Sequence, residues 1–297
     1  MTMSAAAPQQ VSAPFVLSSV LASEDRFVLT LKLSCVLLLL HGATAPAMGV
    51  PIRILCGAML LFPDVIRSKV AWWTLFVSLV LGNGVDWFVI DNHKYLISYW
   101  TLACVLALHN PRPQEYLSRT ATLLVGIVFG FAVIWKVIGG QYLNGSFLYW
   151  TFLTDPRVQR VGSFVGGLSP EDVRQGSQAL RMLGALAGAG TTVPMLHSQA
   201  LSTVTYLISY LVLLGEGGLS AAHLFSNRQL YLTRHVLLIG FIPVTYFLLP
   251  VAGFAFVLTL LGFAQCDADD LRMPLAYLSL LVAIQFIVLP WQSLLPS

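Results

Sequence analysis

A single lysine interrupts one of the most apolar stretches of the chain. Lys136 sits in FAVIWKVIGG, with no charged residue from Thr120 through Trp135 or from Val137 through Thr154. Placing an ionisable side chain inside lipid costs about 2.5–3.5 kcal/mol on insertion scales, so it needs a reason. Two reasons are open. The amine can snorkel to the headgroups beside Trp135. Alternatively it faces the interior of a helix bundle, where desolvation favours the neutral amine and makes it a usable base. Gly139 and Gly140, three and four residues on, share its helical side and leave room for a ligand.

A second polar cluster, VIDNHKYLIS at 89–98, groups Asp91, Asn92, His93 and Lys94 between hydrophobic runs. A polar loop tip is ordinarily just solvated. If the preceding helix extends to it, however, Asp86 lies seven residues before His93 on the same face, where its carboxylate can hold one imidazole nitrogen and fix the tautomer. Asp91 either pairs with Lys94 or caps the next helix. His41, His197, His223 and His235 show no metal-site spacing. Asp267, Asp269 and Asp270 lack the continuation of a calcium loop. No metal is expected. Cys35, Cys56, Cys104 and Cys266 are scattered, with no C-x-x-C, as small buried hydrophobes would be. Neither a phosphate-cradling glycine loop nor a G-x-S-x-G elbow occurs.

The elements that must hold these groups follow from composition. Of 297 residues, 57% are hydrophobic and only 10% charged, where soluble domains average about 25% charged. An all-α polytopic integral membrane bundle is therefore predicted, with about eight spans: 27–47, 50–63, 71–90, 95–109, 119–139, 199–215, 236–265 and 274–294. The seventh carries Pro243 and Pro250, which kink or break a helix. Residues 1–20 are expected to be a disordered cytoplasmic tail, without the basic region of a cleaved signal peptide, and 21–297 a single membrane domain. A net charge of +3 gives no case for nucleic acid. Membrane lipid is the expected environment.

Arg67 and Lys69 in one connection, Arg112 and Arg119 in another, and Arg228 and Arg234 in 216–234 all fall on one side, which the positive-inside rule makes cytoplasmic. Both termini are then cytoplasmic and DADDLR (267–272) lies outside. His93 and the far end of the Lys136 span share the extracytoplasmic leaflet. The stretch 140–198 is read as one long extracytoplasmic loop with a short surface helix. Ser169 is its N-cap, Pro170 the first helical position, and Val173, Leu180, Leu183 and Ala187 roughly share a face. AGAGTT (187–192) then looks like a flexible joint. Gly126 and Gly130 form G-x-x-x-G, a helix-packing pattern.

DNHKYLISYWTLACVLAL (91–108) resembles the asparagine–histidine–x–tyrosine–leucine segment of the vitamin K-dependent γ-carboxylase family, within the wider horizontally transferred transmembrane (HTTM) group. FAVIWKVIGGQYLNGSFLYWTFLTDPR (131–157) is similar to that family's aromatic–x–x–lysine segment. The resemblance implies that Lys136 is the catalytic base and His93 the histidine beside the active site, within a segment that includes Asn92. Tyr142 stands where the family has tryptophan, and Gly145 on its glycine. It further implies a reduced vitamin K or menaquinol cofactor. In the family that hydroquinone, once deprotonated, reacts with oxygen, and the strong base formed removes a glutamate γ-proton before carbon dioxide is captured. Two departures stand out: one extra residue separates Lys136 from Gly145, and the tryptophan is a tyrosine. The large lumenal portion of full carboxylases is not expected, since the sequence reads as a membrane domain alone.

The expected function is quinol-dependent carboxylation or oxidation of a small or peptide substrate at the extracytoplasmic leaflet, in a bacterial inner membrane. The alternative is a non-catalytic membrane subunit or assembly factor that meets partner membrane proteins, with Lys136 as an anchor. The proline-broken run 236–265 also admits a transporter, though no internal repeat accompanies it.

Overall fold

A computed structural model describes residues 25–42, 46–85, 87–88, 90–185, 197–225, 227–267 and 270–287. The 1–20 tail, Asp86, Asp269 and the 187–192 joint lie outside the described residues. Among the described residues all regular structure is helical. There are twelve α-helices: α1 Arg26–His41, α2 Pro46–Leu61, α3 Lys69–Val85, α4 Asn92–Ala107, α5 Pro113–Gly139, α6 Ser146–Thr154, α7 Gln159–Gly166, α8 Pro170–Ala185, α9 Gln199–Leu224, α10 Tyr231–Leu248, α11 Ala252–Ala264 and α12 Arg272–Ile287.

Two of these, α5 and α9, are long and apolar enough to cross a membrane, with mean hydropathies of 2.3 and 1.3 over their best windows. Only 22% and 33% of those windows are buried within the chain, so most of their apolar side chains face outward, unlike the core helix of a soluble domain. Among the described residues four shorter apolar helical stretches follow, Met48–Leu61, Lys69–Val85, Ala252–Ala264 and Arg272–Phe286.

Three boundaries differ from those expected from sequence. The run 199–215 continues unbroken to Leu224. Gly217 and Gly218 within it each cost a helix about 1 kcal/mol relative to alanine. Burial of Leu219, Ala222 and His223 beyond them holds the helix together. The run 236–265 is two helices rather than one. Leu249 is extended, as a residue before proline prefers, and Pro250 supplies no backbone donor. Among the described residues of 140–198 there are three helices, α6 to α8, where one was expected. The last begins where its sequence says, because the Ser169 hydroxyl accepts from the Asp172 amide (3.1 Å) and the Asp172 carboxylate accepts from the Ser169 amide (3.0 Å).

The chain forms two compact units. The first takes its described residues from 1–120 and 262–279, the second from 121–261 and 280–297. In the first, α1 packs on α2 and α4, and α3 on α2 and α4. Its centre is pinned by Trp100, whose indole N–H donates to the Ser34 hydroxyl (2.9 Å), which in turn donates to the Thr30 carbonyl (2.7 Å). All four cysteines are buried free thiols.

In the second unit, α9 is the hub, packing on α6, α7 and α10. The Gly126/Gly130 pair lets α9 approach α5. A side chain at Gly126 would meet Leu224 at 2.8 Å, and one at Gly130 would meet the Ser220 hydroxyl at 2.9 Å. Ser220 uses that space to donate to the Gly126 carbonyl at 2.9 Å.

Candidate functional site

Lys136 is carried almost to the end of α5, which closes at Gly139. The chain then turns through Gly140 (φ +67°) and Gly145 (φ +73°), both in the left-handed region that glycine tolerates without strain. At Gly145 the missing side chain has a second use. A Cβ there would sit 2.9 Å from the backbone of Tyr206, so the turn lies directly against α9. This folds Tyr142 inward, 7% exposed, in an apolar cluster with Leu148, Tyr149, Phe152 and Leu201.

In that corner the Lys136 ammonium donates to both carboxylate oxygens of Glu216, on α9. The lysine side chain is 22% exposed and that of the glutamate 9%, so the pair is largely withdrawn from its surroundings. Lys136 Nζ also stands 4.9 Å from the centroid of the Tyr142 ring, a cation–π contact. Burial, and then the Glu216 charge, push the Tyr142 phenol well above its usual range, so it stays protonated. The hydroxyl of Tyr246, from α10, also feels the Glu216 charge. Around Gly139 and Gly140 no atom lies within 4 Å of where a Cβ would be, so that flank is open.

A buried ion pair of this kind has a second protonation arrangement. Moving one proton from Nζ to the carboxylate leaves a neutral amine and a neutral acid, and a weakly polar surrounding narrows the gap between the two forms. The corner is thus able to hold or accept a proton, beside an aromatic face and an open flank.

His93, Asn92 and Asp91 belong to the first unit. Asp91 precedes α4 as its N-cap residue but makes no side-chain cap bond, and Asn92 is exposed. His93 is not a solvated tip residue: it is buried, 6% exposed, with Nδ1 3.9 Å from the Asp91 carboxylate. Burial first, and the Lys94 charge second, hold its imidazole down at about 4, so it is neutral at physiological pH. Lys94 donates to the His41 carbonyl, the last residue of α1. Below it, the Asn83 amide donates to the Ser98 hydroxyl (2.9 Å).

The sequence-predicted site residues thus fall into two sets. Lys136, Tyr142 and Gly145 come together in the second unit, and Asn92 and His93 stand in the first. Glu216 is the partner that sequence reasoning missed. Its signal is present in the sequence, as the one carboxylate between Asp172 and Asp267, but it falls within the stretch 216–234 that the arginines mark as a cytoplasmic connection. Among the described residues no three His, Cys, Asp or Glu side chains gather as a metal site requires.

Comparison with protein-family models, with curated proteins and with solved structures returns no match for this chain.

Proposed function

We propose that this chain is a multi-pass integral membrane protein of the HTTM type, with about eight spans and both termini in the cytoplasm of a bacterial inner membrane. In this reading Lys136 serves as a proton acceptor toward a lipid-soluble quinol. The observation that carries the proposal is the Lys136–Glu216 pair, an ion pair between two helices that are each long and apolar enough to cross a bilayer. Intramembrane ionisable residues are rare, and those kept there mark pathways and reactive sites.

A reduced vitamin K or menaquinol suits the donor set. An ammonium, a carboxylate and a phenol converge on one corner, and the Gly139–Gly140 flank is open for a flat ring. When bound, such a quinol supplies an acidic hydroxyl and two electrons. Glu216 takes the proton of Lys136, the neutral amine accepts the quinol hydroxyl proton, and the tyrosine rings exclude water.

The second reading, a non-catalytic subunit, draws on the same contact. An amine engaged with both carboxylate oxygens also fastens α5 to α9. Quinol oxidation by purified protein separates the two. Lys136→Ala and Lys136→Arg are both expected to lower the rate by about 100-fold or more, since arginine keeps the charge but cannot give up its proton. Full activity in both variants would remove Lys136 from the chemistry and leave the fastening role.

A further inference from the structure

Most of the small polar residues of α9 share one face, with Thr203 standing apart on an exposed one. At 100° per residue Ser202, Thr205, Ser209, Glu216, Ser220 and His223 fall within a sector of about 60°. The last five are at most 8% exposed, on a helix whose other faces carry exposed Leu207, Leu211 and Leu214. Hydroxyls buried in an apolar surrounding cost free energy unless they are bonded, and those of Thr205 and Ser220 donate to the Leu201 and Gly126 carbonyls. Ser209 is the exception: its hydroxyl is fully buried with no hydrogen-bond partner among the described residues.

The two directions along the stripe from Glu216 differ. Toward Ser209 the next positions are Val212 and Leu213, and the polar gap is seven residues, about 10 Å of helix. Toward the end of α9, Ser220 follows at i+4 and His223 three residues later, spacings at which side chains on one helix face are neighbours.

The chemistry of each link suits proton passage. Ser220 donates its hydrogen to the Gly126 carbonyl, which leaves its lone pairs open to accept. Glycine at 130 keeps that hydroxyl its space. His223 Nδ1 lies 2.8 Å from the Leu219 carbonyl, which can only accept, so Nδ1 carries the hydrogen and Nε2 is the basic nitrogen. Arg234 of α10 acts on His223 electrostatically, so a charged group lies within reach of the imidazole.

We infer that α9 is a proton conduit: Ser220 and His223 carry the proton between the Lys136–Glu216 pair and the end of α9 that meets α10. A proton held by Glu216 passes to a lone pair of Ser220, whose own hydrogen moves to His223 Nε2. The imidazolium then releases its proton at the helix end and Ser220 turns back. No other group changes its bonding. The conduit rests on the proposal that the pair handles protons, and it adds where the proton comes from or goes.

The test is the speed at which Glu216 exchanges its proton. Purified protein in lipid nanodiscs is given a pH jump, and the Glu216 carboxylic-acid infrared band is followed, identified by its loss in Glu216→Gln. Ser220→Ala and His223→Ala are each expected to slow that band by about 100-fold, while Ser209→Ala leaves it unchanged. Free imidazole is expected to restore the rate in His223→Ala but not in Ser220→Ala. Wild-type speed in both relay variants overturns the conduit. So does the absence of any pH-sensitive Glu216 band, or a His223→Ala defect that imidazole does not repair, which is what a purely structural histidine produces. Because no quinol is present, these outcomes are independent of whether the protein oxidises one.

Discussion

Two lysines in this chain are drawn out of solvent, and the structure treats them differently. In the second unit, Lys136 is neutralised by the Glu216 carboxylate, reaching from another helix. In the first, Lys94 is held by a backbone carbonyl, that of His41, at the C-terminal end of α1. Arg53 donates to the Leu39 carbonyl close by, at 3.4 Å. A carbonyl at a helix end attracts a cation but cannot take its proton in exchange. Lys94 caps the end of α1 while the Asp91 charge also acts on it, whereas Lys136 is bonded directly to its carboxylate. Burial alone does not mark a lysine for chemistry; the acidity of what it touches does.

The contrast is sharpest in what removal of each charge should do. Lys136→Met leaves Glu216 buried beside two tyrosines without a counter-charge, and stability is expected to fall by about 3–5 kcal/mol. Adding Glu216→Leu to that variant should restore most of the loss, because a matched apolar pair is tolerated where a lone charge is not. Thermal unfolding in detergent reads both variants. A double variant as unstable as the single one would break the assignment of the loss to an orphaned carboxylate.

The next effect belongs to the first unit and depends on pH. His93 takes its proton at about 4 in the folded protein, below its ordinary 6.5. Between those values the unfolded chain binds more protons than the folded one, so stability falls as pH drops from 6.5 to 4 and is level above 6.5. The span of the effect is about 3 kcal/mol. His93→Gln should flatten that part of the melting-temperature profile, and an unaltered slope would mean that other groups carry it.

The smallest effect tests the end-cap. Lys94→Met should cost about 1 kcal/mol through the lost interaction with the α1 terminus. It should also raise the His93 midpoint, since the Lys94 charge helps hold that midpoint down. An effect as large as that of Lys136→Met would erase the distinction between the two lysines.

The elements of this contrast were unequally legible in the sequence. Helical periods and long apolar runs announced an all-α chain, and Lys136 stood out because nothing else charged lies near it. Its partner did not, for a physical reason: Glu216 is followed by Gly217 and Gly218, which weaken a helix intrinsically but not one whose next turn is buried. The burial of His93 was hidden for a similar reason. A cluster of Asp, Asn, His and Lys reads as a wetted tip, and only packing shows that one of the four is turned inward. The break at Pro250 was legible in kind but not in place, because two prolines lay in one run and only one of them ends a helix.

The Lys136–Glu216 contact also has a consequence for how the protein is made. About 60 residues lie between the end of α5 and the start of α9, so on the proposed membrane reading Lys136 enters the bilayer well before its carboxylate has been synthesised. Inserting either charge alone carries the cost of about 2.5–3.5 kcal/mol that translocon scales assign, and inserting α9 beside α5 relieves both.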